Sequence, residues 1–327
     1  MKILKIILIS LLTVLTLGSI AAAGLYTYNY VRCAEFYSVA KDEGKIPGIS
    51  EGFVPEGYCS VPDGVCISGY LAENGAARIY LIKNDGEISY TDLINEDGTA
   101  FVSRASGIEF YKKYLYVTGP RGLYMFYYED LVEKLAKAEY YEVINTYVTP
   151  EWCEIFDRRL YVGTNSEKTE KIPTFQRVKY GEEEFSDLIM VYEIDPGIKF
   201  CITETPLCVI ASPSGVEGMF ANGLGYALTR TEGTLSSYLD FHVLEVGEVG
   251  SVKIENSPEG AREIPCYYLS KTSLKSSMKI PFGIQDTVSF NSRLYFVGNS
   301  GSDGLYLGRI FGLDRFYSIP LSEKYYK

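Results

Sequence analysis

Four carboxylates stand at matching places along the chain. Glu56, Glu151, Glu217 and Asp286 each precede, by eight or nine positions, a short segment in which apolar residues end in a small one: Val65-Cys66-Ile67-Ser68-Gly69, Leu160-Tyr161-Val162-Gly163-Thr164, Gly225-Tyr226-Ala227-Leu228-Thr229 and Leu294-Tyr295-Phe296-Val297-Gly298. A fifth copy, Leu115-Tyr116-Val117-Thr118-Gly119, has Ser106-Gly107 at that spacing, with Arg104 just ahead. If the segments are equivalent strands, the carboxylates face one axis. Oxygen-only donors converging on a point suit Ca²⁺, and water on such an ion can attack an ester or lactone. Without a cation the carboxylates repel one another, unless Arg104 and Arg230 neutralise them. The plainer alternative is a set of solvated rim charges. Trp152, the single tryptophan, adjoins Glu151. It either stacks on a sugar ring or packs between sheets. The candidate ligand-binding set is therefore Glu56, Arg104, Glu151, Trp152, Glu217, Arg230 and Asp286, with Ca²⁺ as the cofactor such a set would take; no residue is assigned a catalytic role.

Other chemistry finds little support. His242, the one histidine, lies in the apolar stretch Phe241-His242-Val243-Leu244 with no nucleophile motif near it, which marks a structural residue. Ser212-Pro213-Ser214-Gly215 lacks the strand-to-helix setting of a nucleophile elbow. Gly298 to Gly304 is glycine-rich, but an apolar strand pattern follows it where a phosphate cradle needs a helix. Among the seven cysteines no C-x-x-C spacing occurs, which argues against redox catalysis and structural zinc. Cys59 and Cys66 flank a hairpin turn at Pro62-Asp63, which predicts that they face each other across two strands. Cys201 and Cys208 share the spacing; buried free thiols are the expectation for all of these.

The elements that must position the carboxylates are strands. Tyr at 29 and Gly at 31 of 327 residues favour strands and tight turns. Behind each second-strand segment runs a third: Arg78-Ile79-Tyr80-Leu81-Ile82, Leu123-Tyr124-Met125-Phe126, Leu188-Ile189-Met190-Val191-Tyr192, Phe241-His242-Val243-Leu244 and Leu305-Tyr306-Leu307. A whole four-strand unit recurs, and this predicts an all-β fold: a single β-propeller of five four-stranded blades, six being the alternative. Insertions at 165–186 and 248–263 account for the uneven spacing. One helix is predicted over 130–137, capped by Asp130, with Leu131, Val132, Leu135 and Ala136 on one face.

The first 30 residues set the cellular address. Lys2 and Lys5 precede Ile6–Tyr26, an uncharged run of 21 residues, and a bilayer core needs about 20. The run is longer than the apolar core of a cleaved signal peptide. A signal anchor over 1–30 is the reading, with cleavage at Ala21-Ala22-Ala23-Gly24 the alternative. The lysines keep the N-terminus inside and put the rest outside the cytoplasm. The expected layout is 31–52 linker, 53–321 propeller and 322–327 tail. Lys plus Arg number 31 against 42 Asp plus Glu, a net charge of −11 that speaks against nucleic-acid binding.

The chain resembles a group of membrane-anchored or secreted bacterial β-propeller proteins of unknown function. Val54-Pro55-Glu56-Gly57, Gly107-Ile108 with Leu115-Tyr116-Val117, Val216-Glu217-Gly218-Met219-Phe220 and Ile264-Pro265-Cys266-Tyr267-Tyr268-Leu269 carry the resemblance. Where that group tends to read His-Ala-Gly-Gly-Ile, this chain has Arg104-Ala105-Ser106-Gly107-Ile108. The resemblance implies the architecture and no activity. The function expected from the sequence is binding: a monomeric, anchored propeller outside the cytoplasm that recognises a glycan, peptide or envelope partner. A Ca²⁺-dependent propeller hydrolase is the alternative.

Overall fold

The structure is a computed structural model that describes residues 2–168, 172–232, 236–244, 249–254, 260–299, 301–302 and 313–327. Short runs of apolar residues between tight turns form antiparallel strands, and among the described residues the strands assemble into five larger sheets, the blades of a β-propeller, and one two-stranded hairpin. Blade 1 comprises Phe53–Val61, Gly64–Leu71, Ala77–Lys83 and Ile88–Ile94. Blade 2 comprises Ile108–Tyr111, Tyr114–Gly119, Gly122–Tyr127 and Glu142–Ile144. Blade 3 has Trp152–Phe156, Arg159–Gly163, Asp187–Glu193 and Cys208–Ser212; blade 4 has Val216–Asn222, Gly225–Glu232, Ser236–His242 and Leu274–Ile280. Blade 5 has Ile284–Phe290, Arg293–Gly298 and Arg315–Pro320, and its outer strand is Lys41–Lys45 from the other end of the chain.

The inner strands touch in the order blade 1, 2, 3, 4, 5 and back to 1, which closes the ring. They approach closely because small residues sit where they meet. A Cβ on Gly107 would lie 2.7 Å from Trp152 Cα, and one on Gly218 would lie 2.5 Å from the Asp286 carboxylate. Apolar layers fill the space between neighbouring blades. Tyr116, Leu160 and Met190 lie in the layer between blades 2 and 3, and Phe220, Leu239 and Phe296 in that between blades 4 and 5. Every second-strand segment expected from the sequence is present.

Several local expectations are corrected. Residues 31–52 are no free linker. Helix Ala34–Val39 sets fully buried Phe36 against Phe296 and Tyr317, with ring centroids at 5.7 and 5.9 Å. Residues 41–45 then join blade 5, and Ile46 and Ile49 enter the layer between blades 5 and 1. The third position of blade 5 is held by Arg315–Pro320; the expected strand at 305–307 lies outside the described residues. The C-terminal tail is tied down too, because Tyr325 stacks on Phe241 at 4.6 Å. The helix expected over 130–137 is Tyr128–Val132, without a side-chain cap from Asp130. Lys134 turns left-handed at φ 58°, and Lys137–Glu139 leaves the helix to pair with blade 1 as a fifth strand. The insertions add to blade 3: Gly250–Ile254 and Arg262–Tyr268 extend its outer edge, and Val178–Tyr180 with Glu183–Phe185 makes a hairpin.

Cys59 and Cys66 are cross-strand partners as expected, and all seven cysteines are free. Cys201 sits in a 3-10 turn while Cys208 pairs with Val191, so that spacing carries no hairpin. At the N-terminus, Lys2–Arg32 is one helix. Its segment Ser10–Arg32 is long and apolar enough to cross a membrane, and the window of mean hydropathy 1.5 within it is not buried against the rest of the chain.

Candidate functional site at the channel mouth

The strand pairing decides which residues are equivalent. Gly57 faces Ser68, Trp152 faces Gly163, Gly218 faces Thr229 and Asp286 faces Val297; Gly107 accepts a hydrogen bond from Thr118 N at 2.9 Å. The residues just before these form the ring at the mouth: Glu56, Ser106, Glu151, Glu217 and Gln285. In blades 1, 4 and 5 that residue is the extra one of a β-bulge. A bulge turns its side chain away from the regular alternation, here towards the mouth. Asp286 is therefore not the fourth member of the ring. It lies one residue deeper, and Gln285 holds the equivalent place. Spacing alone blended two adjacent positions because the blade 4 segment slips by one: Tyr226, not Gly225, corresponds to Leu115.

The mouth is a mixed-charge network. Arg104 Nη2 donates to Glu56 Oε2 at 2.7 Å, and Asn299 Nδ2 donates to Glu56 Oε1 at 3.1 Å. Glu56 is 0% exposed, so these two bonds compensate its loss of water. Lys168 pairs with Glu217 and also donates to Gln285 Oε1 at 3.2 Å. Glu151 is held least: Ser106 Oγ donates to it at 3.4 Å and Arg104 Nη1 stands 4.0 Å away. Burial pushes the Glu151 carboxyl above its ordinary range, with Lys168 and Arg104 pulling it back. Burial also raises Glu217, against the pull of Lys168. For Arg104 burial acts downward, but Glu56 and Glu151 outweigh it and strengthen its charge. Beside Glu151 opens a pocket of about 200 Å³, bounded by Arg104, Ser106, Thr149 and Pro150.

Three candidates take other roles. Arg230 points into its own blade, bonded to Asp240 at 2.7 Å and lying over the Tyr238 ring. Trp152 is fully buried, with its indole where a Gly163 side chain would be, in the layer between blades 3 and 4. It packs and cannot offer a face to a sugar. Asp286 accepts Tyr58 N at 2.9 Å and Thr287 N at 2.8 Å, which ties blade 5 to blade 1. His242 is structural, as expected; its Nδ1 meets Ser273 Oγ at 2.9 Å, and burial lowers it to about 4.

Two groups were missed. Lys168 lies in the insertion between the second and third strands of blade 3, and its position on the mouth-side loop was the available signal. Glu109 and Glu154 sit inside inner strands, between apolar neighbours. They are hydrogen-bonded to each other, and burial raises Glu109 to about 8 and Glu154 well above its ordinary range. A lone acid amid an apolar inner strand was the signal for a channel-facing position.

Among the described residues no group of three or more His, Cys, Asp or Glu is placed to hold a metal ion. Glu56 and Glu217 are bonded to cations, and Asp286 to backbone N–H groups. The calcium set expected from the spacing therefore does not assemble.

No family model matches the chain, and no curated protein matches it. Solved structures do. A luciferin-regenerating enzyme is similar at 10% identity and a TM-score of 0.38, over 86% of this chain and 95% of that one. BamB from Moraxella catarrhalis is similar at 10% identity and a TM-score of 0.31, over 86% and 97%. A BBS1 N-terminal domain in complex with ARL6 is similar at 12% identity and a TM-score of 0.30, over 88% and 98%. The five-blade assignment rests on this chain's own strand order.

Proposed function

We propose that this protein is a binding propeller, anchored through its N-terminal helix and facing out of the cytoplasm, whose channel mouth receives a cationic group of a glycan or peptide partner. The observation that supports this is Glu151. It is a nearly buried carboxylate with no cation at hydrogen-bond distance among the described residues, on the wall of a small pocket. The ring carries three glutamates against Arg104 and Lys168, which leaves one negative charge to be met. A primary amine supplies both the charge and N–H donors.

Full-length protein in detergent should bind a glucosamine oligosaccharide or a lysine-terminated peptide, and Glu151→Gln should weaken that binding at least tenfold. Equal affinity in the variant would remove Glu151 from the reading. For the anchor, the mature chain should remain in the membrane fraction with its first residues intact; a soluble chain starting near Gly24 would end that part.

A further inference from the structure

A second concave surface adjoins the mouth pocket, and Pro120 and Thr149 line both. It is a cleft of about 1020 Å³ between the loop after Gly119, the hairpin insertion of blade 3 and that blade's outermost strand. Arg121, Arg177, Lys179 and Lys253 line it, and no Asp or Glu does so among the described residues. In a chain of 42 acids and 31 bases, four cations on one wall with no carboxylate among the described residues is a local reversal of sign.

These cations are poorly compensated. Arg177 and Lys253 are exposed, and no carboxylate pairs with either among the described residues. Lys179 reaches only exposed Glu184, at 3.8 Å. Arg121 donates to the hydroxyls of Tyr124 and Tyr140 at 3.1 and 3.2 Å and meets no acid among the described residues. Gathered like charges focus a positive potential in a concave wall. The remaining lining is aromatic and hydroxylic: Tyr147, Phe175 and Tyr268 with Thr149, Thr174 and Ser251. The outermost strand of blade 3 is covered where Thr174–Gln176 packs against it, which disfavours an extended peptide added along that edge.

We infer that this cleft binds an acidic saccharide. Its carboxylates or phosphates would meet Arg177, Lys179 and Lys253, its hydroxyls the Thr and Ser side chains, and its ring faces the aromatic residues. The site neighbours the mouth pocket, but Arg177, Lys179 and Lys253 do not line that pocket and Glu151 does not line this cleft, so it does not depend on the amine reading.

The test is calorimetry on the full chain in detergent, with oligogalacturonate, its methyl ester and a poly-glutamate peptide as ligands. Oligogalacturonate should bind, more weakly as salt rises. The neutral ester and the peptide should each bind at least tenfold more weakly. Arg177→Glu with Lys253→Glu should abolish binding with an unchanged melting temperature, because both residues are exposed; Lys253→Gln alone should weaken it severalfold. Glu151→Gln should leave it unchanged. No binding at low salt, equal binding of the ester, or equal binding in the charge-reversed variant overturns the proposal. Equal binding of poly-glutamate does so as well, in favour of a nonspecific anion or peptide surface.

Discussion

The channel holds acids at two levels, and the two levels are stabilised differently. At the mouth, Glu56 and Glu217 are met by Arg104 and Lys168. Further along the inner strands, Glu109, Glu154 and Asp286 meet no cation among the described residues. Asp286 takes backbone N–H groups, while Glu109 and Glu154 take each other. Two buried carboxylates hydrogen-bonded to one another must share a proton, because a carboxylate has no hydrogen to donate. Side chains on long loops can bring ammonium and guanidinium groups to the rim. They cannot thread them down between closely packed strands, so the deeper level uses protons and main-chain amides.

The largest test of this contrast is Asp286→Ala. It orphans the Tyr58 amide at the junction of the last blade with the first, and two buried hydrogen bonds are worth about 3 kcal/mol in all. Denaturant unfolding should show that loss; a change below about 0.5 kcal/mol would mean the junction does not depend on the carboxylate.

Next in size is Arg104→Met, which leaves Glu56 with Asn299 alone. Losing one partner of a buried pair costs about 3–5 kcal/mol, and the partial exposure of Arg104 reduces this to about 2. Adding Glu56→Gln should recover most of it, and failure to recover would show that Arg104 acts through packing.

The subtlest effect is on pH dependence. Glu109 binds its proton more tightly in the folded chain, at about 8, than at its ordinary value of 4.5. The folded state therefore holds the extra proton between those limits. Stability from this source is fully present below the ordinary glutamate value and is lost as pH rises through about 8, by at most about 1.4 kcal/mol per pH unit. Melting temperatures at pH 5 and pH 8 should differ in that direction, and Glu109→Gln should shrink the difference. A wild-type protein equally stable at both would mean the pair is ionised.

The repeat of strand segments exposed the architecture, because a propeller writes the same pattern once per blade. The mouth was half legible. Glu56, Glu151 and Glu217 stood out through spacing, and Arg104 through its place just before a blade. Asp286 was misplaced because the blade 4 segment, read one residue early, gave Glu217 the same spacing as Asp286. Lys168 and the Glu109–Glu154 pair were missed because their partners lie in other blades, 49 residues away for Lys168 and Glu217. The outer strand at 41–45 read as a linker because Lys41-Asp42-Glu43-Gly44-Lys45 is polar throughout, as suits an exposed sheet edge.

That strand has a consequence for how the molecule is made. Lys41–Lys45 is synthesised before all the strands of blades 1 to 4, yet its partner Arg315–Pro320 is synthesised after them. The first strand must wait, unpaired, while four blades form. Closing a loop that long adds an entropic delay to the final step. Until then blade 5 exposes a bare edge beside the leading helix, so the interval just before completion is when the newborn chain is most open to misassociation or to the care of a chaperone.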